Sequence, residues 1–427
     1  MTLAKLPFSI IDIENFEFDP NIEWACASND IKRILIFDTE TTGLLPFNKT
    51  LSVDNVPRLV QLAFVILETQ DDINFKVVFK YDQIITPTYR DIPRSSSDIH
   101  GITTQIAIEQ GIELNDALAV FLNAAKDATS IVAHNMDFDF YIMQFEYIRC
   151  VTNGENLLSN VFKTKQLLCT KLLSMLHCKL QSNNARYAHT WKWPQLQELH
   201  MQCFGANFDD AHNALIDVTA TLNCTVSMIK SNHIILAQQN EYMSIIAIDT
   251  ASLNYEYLDA SIYDNTKFAK ILRFAIITVD KQLKVLRKSY IYIDGVTSIH
   301  ESATALHGID MHHYNSQFKF SIDAAVKLIS AMLTLTTRCI TYQQNFTNKH
   351  VQSLFAQAKT TLPLPLNITN IVGFRHVFAN NMEYNTQLHQ LHNILFADQI
   401  DVTCEYSTVL AIYNLLHYAK QNNLVTI

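Results

Sequence analysis

Five side chains in this sequence could do metal or acid–base chemistry together. They are Asp38 and Glu40 in "FDTETTG", Asp139 in "AHNMDFD", and His212 and Asp217 in "HNALID". Asp38 and Glu40 lie two apart at the end of an apolar run, so on a strand their side chains leave the same face. A five-residue step on a helix turns about 500°, so His212 and Asp217 would not share one helical face. His212 is therefore expected at the helix mouth or in the loop before it, free to swing over the site that Asp217 faces. Four converging carboxylates repel one another and hold their protons. Two divalent cations would remove that penalty, and hard oxygen ligands select Mg²⁺ or Mn²⁺ over zinc. Such a pair can clamp the attacking and leaving oxygens of an in-line phosphoryl displacement, while a neutral histidine takes the proton of the attacking water. Singly, Asp38 and Glu40 also read as strand-end surface acids and Asp139 as a helix N-cap. The five together point to chemistry.

These residues need elements to position them. "RILIFDTE", "RLVQLAFVILETQ" and "NFKVVFKYDQIITP" read as three successive strands, the first ending at the acid pair. "ELNDALAVFLNAAKDA" has helical spacing, "TSIVAHNM" returns to a short buried strand, and "DFDFYIMQFEYIR" is helical again, with Asp139 early in it. "WPQLQELHMQCFG" reads as a helix stopped at Gly205, and "AHNALIDVTATLNCTVSMIK" as a long helix carrying Asp217. Strands followed by strand–helix alternation predict an α/β sheet covered by helices.

The same order then repeats. "ILIFDTETTGL" returns 211 positions later as "IIAIDTASLN", and "SSSDIHGIT" as "SATALHGID". "TSIVAHNMDFDFYIMQF" overlays "TRCITYQQNFTNKHVQSLF", and "FGANFDDAHNALIDVTATLN" overlays "FADQIDVTCEYSTVLAIYN". Spacings agree: Asp38 to Asp139 is 101 positions and Asp249 to Thr347 is 98. "SNNARYAHTWKW" has no counterpart in the second copy. The boundary falls near "SNHIILAQQNEYM", giving an N-terminal extension at 1–30, a first domain at 31–235 and a second at 243–427.

Composition bounds the class. A chain of 427 residues exceeds the usual single core, so two domains of about 200 residues are expected. Eight cysteines without framework spacing read as reduced thiols of an intracellular, cytoplasmic protein. Cys169 and Cys178, with His177 and His189, match no zinc spacing. No apolar run reaches the roughly 18 residues of a membrane span, so a soluble protein without a membrane partner is expected. A net charge of −9 excludes a globally basic nucleic-acid coat but not a nucleic-acid site with local cations.

"FDTETTG", "AHNMDFD" and "HNALID" resemble the three motifs of the DEDDh 3′–5′ exonucleases, the family of the proofreading epsilon subunit of bacterial DNA polymerase III. The likeness spans roughly residues 31 to 230, and the spacing of His212 and Asp217 matches the histidine branch of that family. It implies two tandem RNase H-like domains, each a mixed five-stranded sheet flanked by helices. It implies that Asp38, Glu40, Asp139 and Asp217 hold two Mg²⁺ (or Mn²⁺) ions and that His212 is the general base. Thr41, His100, His134 and Phe138 would line the pocket for the terminal nucleotide, supported by Asn135. For His100 a turn residue satisfied by backbone is the other reading, and for Phe138 a core residue. Trp191 and Trp193 read either as base-stacking groups or as a hydrophobic plug before a helix. The implied activity is metal-dependent hydrolysis from the 3′ end of single-stranded DNA, releasing nucleoside monophosphates, in proofreading, repair or DNA degradation. RNA or short oligoribonucleotides are the second substrate class, and a non-catalytic nucleic-acid-binding scaffold is the reading from a different class.

In the overlay the second copy keeps Asp249 for Asp38 but has Ala251 for Glu40, Thr347 for Asp139, Cys404 for His212 and Val409 for Asp217. One carboxylate does not hold two Mg²⁺ ions. The second domain is therefore expected to be a pseudo-exonuclease. It could serve as an internal pseudo-dimer partner in a monomeric chain, or as a nucleic-acid grip through Lys281, Lys284, Arg287 and Lys288. No segment reads as a polymerase-binding tail, which leaves a polymerase partner without support.

Overall fold

The computed structural model describes residues 31–46, 51–88, 91–150, 157–181, 190–209, 212–236, 242–253, 260–264, 266–333, 336–342, 344–360, 368–370, 388 and 407–421. The N-terminal extension, Cys404 and His189 lie outside the described residues. The chain divides into two compact units, Met1–Cys178 with Trp193–Gln238 and Lys179–Lys192 with Gln239–Ile427.

In the first unit, β1 (Lys32–Thr41), β2 (Leu59–Thr69), β3 (Lys76–Ile84), β4 (Ser130–Ala133) and β5 (Gln166–Cys169) form one sheet in the order β3-β2-β1-β4-β5. The first three strands run antiparallel, while β4 pairs parallel to β1 and β5 parallel to β4. This is the mixed five-stranded, RNase H-like arrangement expected from the sequence. β1 and β2 are buried along almost their whole length, which is why they read as unbroken apolar runs; β3, at the edge, is mostly half-buried. The helix Leu114–Asp127 turns Ala117, Leu118, Phe121, Ala124 and Ala125 into the core. There Phe121 meets Phe37 at 5.1 Å and Phe64 edge-on at 5.5 Å between ring centroids. The two-layer packing fixes β1, so the carboxylates at its end sit on a rigid support.

The second unit repeats the pattern with β6 (Tyr242–Thr250), β7 (Ile271–Val279), β8 (Val285–Ile293), β9 (Lys319–Phe320), β10 (Thr336–Thr341) and β11 (Ile368–Asn370). The order is β11-β10-β6-β7-β8-β9, with β6, β7 and β8 antiparallel and β10 and β11 parallel to β6. This sheet has six strands where five were expected. The additional one is the two-residue β9, which pairs parallel with β8 through Tyr292 and Ile293.

Lys179–Lys192, read from sequence as part of the first domain, is counted with the second compact unit. Its end pairs there along β9: Thr190 bridges Lys319, and the Trp191 N–H donates to the Lys319 carbonyl at 3.1 Å. No helix among the described residues is long and apolar enough to cross a membrane.

Candidate metal centre and active site

The first-unit acids meet at one end of the sheet because three elements finish or begin there. β1 ends in Asp38, Thr39, Glu40 and Thr41, with a register shift against β2 between Glu40 and Thr41. β4 ends at Ala133, and a turn through Asn135, at φ 88°, leads into the helix Met136–Cys150. That helix carries Asp139 in its first turn. Asp139 is buried and accepts a hydrogen bond from the Thr39 hydroxyl at 2.7 Å, which ties the helix start to β1.

The helix Ala214–Lys230 brings Asp217. Asn213 caps it, its side chain accepting from the Leu215 and Ile216 amides. His212 therefore lies before the helix, as the angular argument requires. It is exposed and holds a left-handed φ of 73°, uncommon for a side chain with a Cβ. Its backbone N–H donates to Asp217 Oδ2 at 3.1 Å.

Carboxylate oxygens of Asp38, Glu40 and Asp217 all lie within 4.8 Å of one another. Asp139 stands beside this trio, with its Oδ1 held by Thr39. Burial, followed by the charges of Asp139, Asp217 and Glu40, holds the Asp38 carboxyl well above the usual range. Burial and the charges of Asp217 and Asp139 push Glu40 up to about 8. Burial raises Asp139 to about 7 against the opposing Thr39 hydrogen bond, and Asp217 to about 6 against its bond from the His212 backbone. Acids so placed are costly as anions and fit divalent cations with oxygen ligands.

A pH dependence follows. Without cations these carboxyls bind protons more tightly folded than unfolded, where their pKa values are about 4. The folded chain thus holds more protons between about pH 4 and pH 8, and stability falls as pH rises through about 6, 7 and 8. Mg²⁺ should therefore raise the melting temperature strongly at pH 8 and little at pH 5, as read by thermal denaturation. Equal shifts at both pH values would contradict the assignment.

Gln61 was not singled out in the sequence. It sits across from Glu40 in the β1–β2 register; its Nε2 donates to Asp82 Oδ1 at 2.7 Å and its Oε1 accepts from the Ala214 amide at 3.4 Å. The first turn of the Asp217 helix is thereby fastened to β2 and β3. A glutamine inside the apolar "RLVQLAFVIL" was the available signal.

The expected pocket residues have definite places. The Thr41 hydroxyl donates to the Gly43 carbonyl at 2.7 Å, closing the turn after β1. His100 is buried at the end of the helix Arg94–His100, before Gly101 in a left-handed conformation, and its Nδ1 accepts from the Ile102 amide at 3.1 Å. His307 repeats this arrangement before Gly308, with Nδ1 accepting from Ile309 and Nε2 donating to the Thr250 carbonyl at 3.1 Å. The Nδ1 bond to the amide two residues on thus recurs in both units, and that part of the geometry belongs to the fold. Phe138 is half-buried and packs against the first-unit core. The Asn135 carbonyl accepts from the Phe138 amide at 2.8 Å. His134 has both ring nitrogens engaged by protein atoms: Nδ1 with the Thr170 hydroxyl at 3.0 Å and Nε2 with the Pro194 carbonyl at 3.2 Å. Because that carbonyl only accepts, Nε2 carries the proton. Burial lowers the His134 pKa to about 3, which keeps the ring neutral.

At the corresponding place in the second unit an arginine meets the remaining acid. Asp249 faces Arg273 in the β6–β7 register, where the first unit pairs Asp38 with Ala63. Arg273 Nε donates to Asp249 Oδ2 at 2.7 Å, and both side chains are buried. Thr347 is buried against the Thr341 hydroxyl at 2.9 Å, Val409 is buried in the second core, and Ala251 packs beside Leu272 and Tyr292. Breaking the pair with Arg273→Met should cost about 3–5 kcal/mol by leaving a buried carboxylate unpaired. Removing both charges, as in Asp249→Asn with Arg273→Met, should restore most of it in denaturant unfolding of the full chain. Of the four cations in "KQLKVLRKSY", Lys281, Lys284 and Lys288 are exposed, whereas Arg287 is buried with Nη2 donating to the Met332 carbonyl.

Solved structures with similar folds include exonuclease X in complex with 5′-overhanging duplex DNA. It is 20% identical over 48% of this chain and 96% of its own, with a TM-score of 0.31. E. coli exonuclease I in complex with a dT13 oligonucleotide is 13% identical over 91% of each chain, with a TM-score of 0.38. The nuclease domain of 3′hExo, a DEDDh family member bound to rAMP, is 13% identical over 44% of this chain and 94% of its own, with a TM-score of 0.33. No curated protein matches the sequence. The family model described as exonuclease (RNase T) matches residues 35–225, the stretch that holds Asp38, Glu40, Asp139, His212 and Asp217. Residues 35–225 of this chain are thus similar to the exonuclease (RNase T) family.

Proposed function

We propose that the chain is a metal-dependent 3′–5′ exonuclease that removes nucleoside monophosphates from DNA, preferring single strands. The observation that carries this reading is the meeting of Asp38, Glu40 and Asp217 oxygens within 4.8 Å, inside the segment matched by the exonuclease family. Asp38, Glu40, Asp139 and Asp217 would hold two Mg²⁺ or Mn²⁺ ions. Such ions supply neutralising charge for the phosphate and acidify water. The chain's own groups do the rest. The exposed imidazole of His212 takes a proton from the attacking water as its oxygen bonds to phosphorus and the bond to the 3′ oxygen breaks. The left-handed backbone at His212 and its bond to Asp217 hold the loop beside that carboxylate. The Thr39 hydroxyl keeps the fourth carboxylate, Asp139, in place.

DNA is favoured over RNA because the motifs resemble the proofreading branch more closely. Thr41, His100, Asn135 and Phe138 lie at or next to the elements that carry the acids, and in this reading they shape the terminal-nucleotide pocket. His134 shapes it from behind, by holding the Pro194 loop. The second unit is read as a pseudo-exonuclease, because Arg273 supplies the positive charge that its one acid requires. Competition between 5′-labelled DNA and RNA of the same sequence, single-stranded and duplex, tests the substrate assignment. Faster shortening of single-stranded DNA is expected; preferential shortening of RNA would reverse the assignment.

A further inference from the structure

The two tryptophans of "HTWKWPQL" take different roles. Trp191 is committed to packing: its ring stacks on Phe318 with centroids 4.1 Å apart and planes 22° apart, inside the second compact unit. Trp193 belongs to the first unit and is 36% exposed, and the Lys171 ammonium lies 5.6 Å from its ring centroid.

One imidazole links the two segments that carry this pair. His134 binds the Thr170 hydroxyl through Nδ1 and the Pro194 carbonyl through Nε2. Lys171 directly follows the first partner and Trp193 directly precedes the second. His134 itself follows the last residue of β4, and Thr170 follows the last residue of β5. β1, β4 and β5 are parallel neighbours, so all three end on the same edge of the sheet. With strands about 4.8 Å apart, the end of β5 lies about 10 Å from the end of β1, where Asp38 and Glu40 stand. An exposed indole with an adjacent ammonium, next to the strand whose end lies about 10 Å from the acid-bearing end of β1, has the two components of a single-strand platform: a ring for a base and a cation for the backbone.

We infer that Trp193 and Lys171 form a subsite for single-stranded nucleic acid upstream of the scissile nucleotide, with a base stacked on the indole and a phosphate held by the ammonium. This rests on the exonuclease reading and extends it to substrate grip. A chain of net charge −9 gives a strand little general attraction, so a local cation beside a stacking ring has a large share of the binding.

The experiment compares two substrates in the full-length protein with Mg²⁺: an oligothymidylate and the p-nitrophenyl ester of thymidine monophosphate, which occupies only the terminal nucleotide pocket. Trp193→Ala is expected to raise KM for the oligonucleotide about fivefold or more, the cost of one lost stacking contact. kcat should stay within about twofold, and hydrolysis of the ester should be unchanged. Trp193→Phe should recover most of the loss. Lys171→Gln should lower the slope of log KM against log salt by about 0.7, the signature of one phosphate contact on a single strand. An unchanged oligonucleotide KM in Trp193→Ala overturns the subsite while leaving the enzyme standing. Equal losses on both substrates also overturn it, by assigning Trp193 to the fold or the terminal pocket. A wild-type protein that cleaves neither substrate overturns the exonuclease reading, and the subsite falls with it.

Discussion

Asp38→Asn should lower hydrolysis of a single-stranded oligonucleotide by about 10³-fold, because losing one anionic oxygen ligand removes several kcal/mol of transition-state stabilisation. The matching change in the second unit, Asp249→Asn, should leave turnover within about twofold in protein verified as folded. The two aspartates occupy the same place in the two sheets: Asp38 faces Ala63 and Asp249 faces Arg273. Ala63 leaves space beside the first acid, whereas the guanidinium fills it beside the second. Because Asp249→Asn also unpairs a buried arginine, the Asp249→Asn, Arg273→Met double variant provides the control of restored stability. A loss of orders of magnitude in that double variant would mean that the second unit takes part in the chemistry. Equal activity of wild type and Asp38→Asn would remove the first unit's claim to it.

His212→Ala carries the second large effect, a fall of about 10²–10⁴-fold in kcat, the usual contribution of one positioned general base. The side chain makes no structural contribution that would explain such a loss, since it is exposed in a loop and the bond to Asp217 comes from its backbone. The variant should therefore keep its melting temperature and its stabilisation by Mg²⁺ at pH 8. This pattern separates a proton acceptor from a metal ligand, because Asp38→Asn should lose both activity and most of the metal response. If His212→Ala also abolishes the metal response, the histidine belongs to the ligand set and the role assigned to it is wrong.

The acid-bearing end of the first unit is legible in the sequence because strand and helix periods leave clear marks there. β1, β2, β3 and the helices carrying Asp139 and Asp217 coincide with the apolar runs that predict them. The placement of His212 outside its helix followed from the turn angle alone, and Asn213 is the cap that makes it so. β5 was not readable: four residues, Gln166–Cys169, are too few to show a period. Parallel pairing with β4 defines that strand, and no local pattern reports such a partner. β9, with two residues, escaped for the same reason.

The repeat was informative in an unexpected way. "IHGIT" and "LHGID" share a helix stop before a left-handed glycine and a histidine whose Nδ1 accepts from the amide two residues on. A histidine held alike in both units marks a position that the fold uses. Arg273 marks the opposite case. It is a lone cation in the buried run "ILRFAIITV", a signal present in the sequence, but its meaning depends on the strand register that sets it against Asp249. His134 could not be separated by sequence from a ligand-facing histidine, because its two partners, Thr170 and Pro194, lie 36 and 60 positions away.

The most direct test of the central claim is the cleavage pattern of a 5′-labelled single-stranded DNA incubated with the full-length protein and Mg²⁺, with EDTA as control. The expected result is a ladder that shortens one nucleotide at a time from the 3′ end, release of nucleoside 5′-monophosphates, and no cleavage in EDTA. An uncut strand in Mg²⁺, immediate release of the 5′ label as a mononucleotide, or undiminished cleavage in EDTA would contradict it.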